Sequence, residues 1–337
     1  MFESPANRAR SNSIEMVRKV PSPTQQLLTG DQAAQLVTRA LDAPVVAASA
    51  LTGGGFAAVW KASLADGREV VLKVGPAPDV PLLEYEAGMI AAEAAYLRLV
   101  ADIAPVPSIL YADDDTLITT FRPGTPLTAF AGDAGPVRRD LGAAMARIHQ
   151  LRGPFFGYTG DRPCAATWPD AFAGIVAGLL RDADRWGVEV PARAIAATIE
   201  ARADDLAQVR EPALLHFDLW DGNVLATVDD YGVASLSGLV DGERYLYGDP
   251  LVDFVSPCLR CRMEEEPDHP YLAGYGSPTL DASALRRLGL YRMWLYLLML
   301  VEMPSRGMTG PESEGRLRWV TDNLHRELAL PPRGGLD

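Results

Sequence analysis

Cysteine is nearly missing from this chain. The three present, Cys164, Cys258 and Cys261, are an odd number in 337 residues. They give no disulfide framework and point to reduced thiols in a cytoplasmic setting. Cys258-x-x-Cys261 has no second Cys or His pair at zinc spacing, so no metal site is expected there. Basic residues are also short, 31 against 44 acidic for a net charge of −13, which argues against a general nucleic-acid binder. A solubilising acidic surface accounts for the excess, and a cationic substrate is compatible with it. No apolar run is long enough to span a bilayer. The longest, Met293 to Val301, reads as a buried helix, so no membrane partner is expected. Residues 1–26 are polar, rich in Ser, Arg and Pro, and lack the apolar stretch of a signal peptide; they read as a mobile tail. There is no internal repeat.

What is present is ordinary globular material. Hydrophobic residues make up 48% and charged residues 22% of the chain, enough for two lobes with large cores. Thr29 to Leu41 has helical spacing. Val45 to Ala50, Ala57 to Leu64 and Glu69 to Val74 read as an antiparallel meander, with Gly53-Gly54-Gly55 in its first turn and Asp66-Gly67 in its second. Leu83 to Val100 is helical in pattern. Ile109 to Tyr111 and Leu117 to Phe121 read as two more strands. Beyond Pro123-Gly124 the chain changes character: Asp140 to Leu151, Trp168 to Trp186 and Pro191 to Val209 are helical, residues 213–241 interrupt them, and helices resume from Leu251. The expectation is an α+β fold of two lobes: residues 27–122 as a small antiparallel-sheet N-lobe, and 123–337 as a larger helical C-lobe, with ligands in the cleft between them.

The chemistry concentrates in His216-Phe217-Asp218-Leu219-Trp220-Asp221-Gly222-Asn223, followed behind a short apolar strand by Leu239-Val240-Asp241. Phosphoryl transfer from ATP needs a carboxylate to orient and deprotonate a hydroxyl, and oxygen ligands for magnesium. Asp218 fits the first role. Asn223 and Asp241 fit the second, since Mg²⁺ prefers hard oxygen donors. His216 is expected to brace the loop. Upstream, Gly53, Gly54, Gly55 and Phe56 could lay backbone amides over phosphates, although the loop departs from G-x-G-x-x-G at Ala58. Lys73, on an apolar strand, is the candidate phosphate contact. Its carboxylate partner is expected to be Glu93, with Glu86 as the alternative on the same helical face. Asp249 before Pro250 has the signature of a helix N-cap and is expected to support the loop behind Asp218, with Asp253 in reach of the same network. Glu243 is a candidate second metal ligand.

These parts, in this order, resemble the aminoglycoside phosphotransferase family and its relatives, the choline kinases, fructosamine kinases and macrolide phosphotransferases, which share the protein-kinase-like fold. The resemblance covers residues 45–255. His216-Phe217-Asp218 to Asn223 looks like the family's H-G-D-x-x-x-x-N loop, and Leu239-Val240-Asp241 like its metal-binding segment. Gly248-Asp249-Pro250 to Asp253 looks like its G-D-P-x-x-D signature. Two departures stand out: Phe217 replaces the usual Gly, and Gly242 follows Asp241 where an aromatic is common. The resemblance implies an ATP- and Mg²⁺-dependent kinase acting on a small-molecule hydroxyl, an aminoglycoside or other antibiotic. It also implies that Thr120, Phe121 and Arg122 connect the lobes and offer backbone atoms to adenine. The acceptor would lie in the helical lobe, where the acidic run Arg262 to Asp268 could line its pocket. The alternatives are a kinase of an amino sugar, sugar or choline-like alcohol, and a catalytically inactive kinase-like binding protein.

Overall fold

The computed structural model describes residues 22–51, 54–266 and 268–329. Helix α1 (Gly30–Leu41) opens with a capping box in which Thr29 and Gln32 satisfy each other's backbone N–H groups. It leads into β1 (Val45–Ala50), β2 (Ala58–Leu64) and β3 (Glu69–Val74); after α2 (Met89–Val100) come β4 (Ile109–Ala112) and β5 (Thr116–Thr120). These pair antiparallel in the order β1-β2-β3-β5-β4. Successive side chains on a strand face opposite ways. Val70, Leu72 and Val74 of β3 therefore pack with Val37 of α1 and Ile118 of β5 in one cluster, and Lys73 turns to the other face, towards α2.

The second lobe begins at β6 (Thr125–Pro126). There follow α3 (Gly135–Ile148), β7 (Phe156–Gly157), β8 (Cys164–Ala165), α4 (Trp168–Arg185), α5 (Ala192–Glu200), α6 (Ala203–Leu206) and β9 (Ala213–Leu215). The chain continues through β10 (Val224–Val228), β11 (Ala234–Leu239), β12 (Leu246–Gly248), α7 (Pro270–Tyr275), α8 (Ala282–Ser305) and α9 (Glu314–Ala329). β12 pairs with β9, and the β10–β11 hairpin takes β6 at its edge. One apolar core runs from α2 through Trp168 and Phe172 of α4 to Trp294 of α8. The Met293 to Val301 run is buried inside α8, and no helix of the described residues is long and apolar enough to cross a membrane.

The fold is the two-lobed α+β arrangement expected, with corrections at several points. The helix expected from Leu83 is broken: a 3₁₀ turn at Glu84–Glu86 gives way to Gly88 at φ 65°, and α2 starts only at Met89. Glycine takes this left-handed backbone without a Cβ clash, so an apolar periodicity that runs through it does not make one helix. Pro191 to Val209 divides into α5 and α6, and the chain after Leu251 forms 3₁₀ turns before α7. Gly53 and residues 1–21 lie outside the described residues. Ser22 to Gln26, expected in the tail, is docked. Thr24 Oγ1 donates to Gly55 O (2.6 Å), Gln25 Nε2 to Ala57 O (2.9 Å) and Gln26 Nε2 to Gly75 O (2.8 Å), meeting loop carbonyls beside the sheet. Cys258 and Cys261, expected as free thiols, are joined in a disulfide with Cα atoms 5.4 Å apart. The fold also brings His269 beside this pair, where no further ligand was expected.

Candidate active site

β9 delivers the chain into the loop 216–223, and the β10–β11 register places both ends of the motif together. Val224 pairs with Leu239, and Val240 N donates to Asn223 O at 3.1 Å, so Asn223 and Asp241 stand at one end of the hairpin. Across the cleft, Lys73 Nζ donates to both oxygens of Glu93 (2.6 and 2.7 Å) and to Asp241 Oδ1 (2.5 Å). Glu93 is thus the partner of Lys73. Glu86 pairs instead with Arg306 from the end of α8. The break at Gly88 explains the choice, because it turns Glu86 out of register with the rest of the helix.

Charge in this cluster is unevenly held. Burial alone would lower the Lys73 ammonium, but Asp241 and Glu93 outweigh it and keep it firmly protonated. Burial pushes the Asp241 carboxyl up, and Lys73 more than reverses that, leaving it ionised. Burial dominates at Glu93, which is raised despite its ion pair. Glu243, buried beside the Asp241 charge, is pushed up to about 8. The carboxylates of Glu93, Asp241 and Glu243 lie within 4.8 Å of one another.

Asp218 sits deeper. Burial raises its carboxyl above the ordinary aspartate range, with Arg244 opposing. Arg244 Nε lies 3.5 Å from Asp218 Oδ2, and its Nη2 is 2.8 Å from Glu302 Oε1 of α8. His216 hydrogen-bonds at both ring nitrogens. Its Nε2 faces Val240 O at 3.2 Å, so it carries the proton there, while Nδ1 accepts from Asp218 N at 3.3 Å. Asn223 Nδ2 donates to Asp218 O at 2.9 Å.

Asp249 and Asp253 exchange their expected parts. Asp249 does cap the turn at Pro250, accepting from Leu251 N, but its other oxygen is taken by Arg287 and Tyr291 of α8, so it braces the helical lobe. Asp253, fully buried, holds the loop 216–223. It accepts from His216 N (2.8 Å), Phe217 N (2.6 Å) and His149 Nε2 (3.0 Å). Ser256 Oγ adds a bond from Leu219 N at 3.0 Å.

Both departures from the family pattern have a local reason. Position 217 has φ 71°, which suits glycine; Phe217 takes it and stacks on Trp294. At Gly242 a Cβ would come within 2.2 Å of the Tyr96 ring, so Tyr96 of α2 fills the space an aromatic at 242 would use.

At the connector, Thr120 N donates to Ser108 O and Phe121 N to Glu69 O, both inside the sheet, while the Arg122 side chain reaches Ser237 O. The acidic run near 262–268 is partly paired: Glu264 meets Arg292 at 2.8 Å and lies 3.8 Å from Arg262, while Glu265 is 4.0 Å from Arg262. It borders a cavity of about 630 Å³ walled also by Tyr296, Trp319 and Arg326. Sequence reasoning missed Arg244, Glu302, Arg306 and Tyr85, whose hydroxyl donates to Glu302. Only Arg244 had a signal, its place next to the Asp241 segment; the others come from distant elements.

The model of the phosphotransferase enzyme family matches residues 48–289. The chain belongs to that family. This phosphotransferase is similar in fold to a protein assigned as a fructosamine-3-kinase of Thermobifida fusca YX-ER1, at 23% identity and a TM-score of 0.65 over 88% of this chain and 100% of that one. Choline kinase LicA from Streptococcus pneumoniae is 14% identical, with a TM-score of 0.60 over 87% of this chain and 98% of the other. The streptomycin–ATP ternary complex of APH(2″)-IIa is 13% identical, with a TM-score of 0.57 over 90% of this chain and 100% of the other. No curated protein sequence matches the chain.

Proposed function

We propose that this phosphotransferase moves the γ-phosphate of ATP to a hydroxyl of a small molecule, with Asp218 as the base. The observation that carries the reading is the Lys73 ammonium held between Glu93 of the N-lobe and Asp241 of the C-lobe, at 2.6 and 2.5 Å, beside the loop that presents Asp218. Asp218 takes the proton as the hydroxyl oxygen bonds to the γ-phosphorus and the bond to the ADP oxygen breaks. Lys73 contacts the first phosphates while Gly54, Gly55 and Phe56 cover them. At the connector the amides of Thr120 and Phe121 are already spent, which leaves the Arg122 amide as the donor to adenine, beside the connector's carbonyls.

The donor set suits a magnesium ion. Asn223 spends its amide N–H on Asp218 O, which leaves Oδ1 as a ligand, and Asp241 offers a carboxylate that Lys73 keeps ionised; Glu243 is a candidate third oxygen. When bound there, the ion would neutralise charge on the triphosphate. Asn223, Asp241 and Lys73 orient the donor, and Asp218 orients the acceptor.

Two acceptor classes follow from the family: an aminoglycoside or other antibiotic, and a primary metabolite such as a sugar, amino sugar or choline-like alcohol. The test is ADP formation by the full chain with Mg²⁺ and ATP over both classes. Stimulation by no member, together with no ATP binding, would overturn the reading.

A further inference from the structure

Arginine crowds the surroundings of Asp218. Arg244 lies against Asp218 and Glu302, and Arg306, only 3% exposed, lies against Glu86 and Glu302. Arg316, in the first turn of α9, feels the charges of Glu302 and Arg244. Three guanidinium groups thus draw on two carboxylates, with Asp218 reserved for the hydroxyl proton. The donors show the imbalance: Arg244 Nε, Arg306 Nη1 and Arg316 Nε are buried with no hydrogen-bond acceptor. A buried charged donor left unmatched is costly, so such groups usually meet an acceptor supplied from outside the chain.

A separate cavity lies farther along α8 and α9. α8 and α9 pack together, and Tyr296 meets Trp319 edge to face at 5.8 Å between centroids. Tyr296 precedes Glu302 by under two helical turns, about 9 Å along the axis. There the cavity of about 630 Å³ carries Arg260, Arg262, Arg292 and Arg326. Glu264 and Glu327 are both engaged by Arg292, at 2.8 and 3.1 Å. Glu265, Glu266 and Glu327 share that wall, so four arginines face three carboxylates there.

We propose that the acceptor carries an anionic group, a carboxylate or a phosphate, bound by Arg244 and Arg316 beside the reactive hydroxyl. This rests on the phosphotransfer reading above and names the substrate class of the same site. It opposes a polycationic aminoglycoside, because every added ammonium would meet guanidinium groups at short range. Carboxylate and phosphate both match the planar donor fork of arginine, so either source serves.

The experiment measures binding to the full chain loaded with Mg²⁺ and ADP, using gluconate, glucose 6-phosphate, glucose, glucosamine and kanamycin as probes. Both anions are expected to bind at least tenfold more tightly than glucose, and the two arms separate carboxylate from phosphate. R316Q is expected to erase that gap and R316K to restore part of it. Tighter binding of glucosamine or kanamycin would overturn the proposal, as would equal binding of all five probes. A weakened ADP affinity in R316Q with the anion gap intact would also overturn it, by assigning Arg316 to the nucleotide. Failure of ADP itself to bind would overturn the phosphotransfer reading and this inference with it. ADP binding without anion preference would overturn this inference alone.

Discussion

Phe217 lies face to face on Trp294, with ring centroids 4.2 Å apart and planes 13° from parallel, while its backbone sits at φ 71°. The stack joins the loop 216–223 to the long buried helix α8. It also offsets the cost of a bulky residue in the left-handed region, about 1–2 kcal/mol. F217A keeps the strained backbone and loses the ring, so it is expected to cost about 3–5 kcal/mol in chemical unfolding. F217G loses the same ring but relieves the strain, and is expected to be the more stable of the two by up to about 1 kcal/mol, after glycine's greater entropy loss. Equal stability of the two variants would mean that position 217 carries no strain.

Tyr96 and Gly242 are a second packed pair. A methyl at 242 would meet the Tyr96 ring at 2.2 Å, and that ring lies edge-on to His216 at 5.2 Å between centroids. G242A is expected to destabilise the fold by about 1–3 kcal/mol through overpacking. Y96L should recover much of that loss when combined with it. Additive effects in the double-mutant cycle would show that the two positions do not share the space.

Asp253 and Asp249 separate by role. The catalytic loop hangs from Asp253 by two charge-assisted backbone bonds, each worth about 1.5–3 kcal/mol. D253N turns one acceptor oxygen into a donor facing an N–H group. It is expected to lower kcat at least tenfold while ATP affinity changes little. D249N should show mainly as a lower Tm, because its partners are Arg287 and Tyr291 of α8. A kcat loss in D249N that matches D253N would return loop support to Asp249.

Much of this was legible in the sequence, and the misses share a cause. The meander and the place of Lys73 on the cleft face follow from the period-two pattern that strand geometry imposes, whereas Glu86 and Glu93 share a helical face and only the break at Gly88 separates them. The break at Gly88 was not legible, because the apolar pattern of residues 83–100 runs through it. The exchange between Asp249 and Asp253 was hidden for a related reason. Both sit in one short motif, and only tertiary packing decides which faces the loop. Glu302 and Arg306 carried no local signal, since they reach the site from α8 across the whole helical lobe.

Burial raises the Asp218 carboxyl and Arg244 opposes that shift. Asp218 must be ionised to accept a proton, so kcat/KM is expected to fall as pH drops, at a pH above the ordinary aspartate value. R244Q removes the opposing cation. Its acid limb should move to higher pH, with kcat reduced at neutral pH. A limb that stays in place would mean that Arg244 does not act on the base.

The most direct test of the central claim is single-turnover phosphate transfer by D218N against the unchanged chain, with Mg²⁺-ATP binding measured alongside. The account predicts ATP affinity within about twofold and transfer slower by about 10²–10⁴, the range for loss of a positioned base. Unchanged transfer in D218N would contradict it.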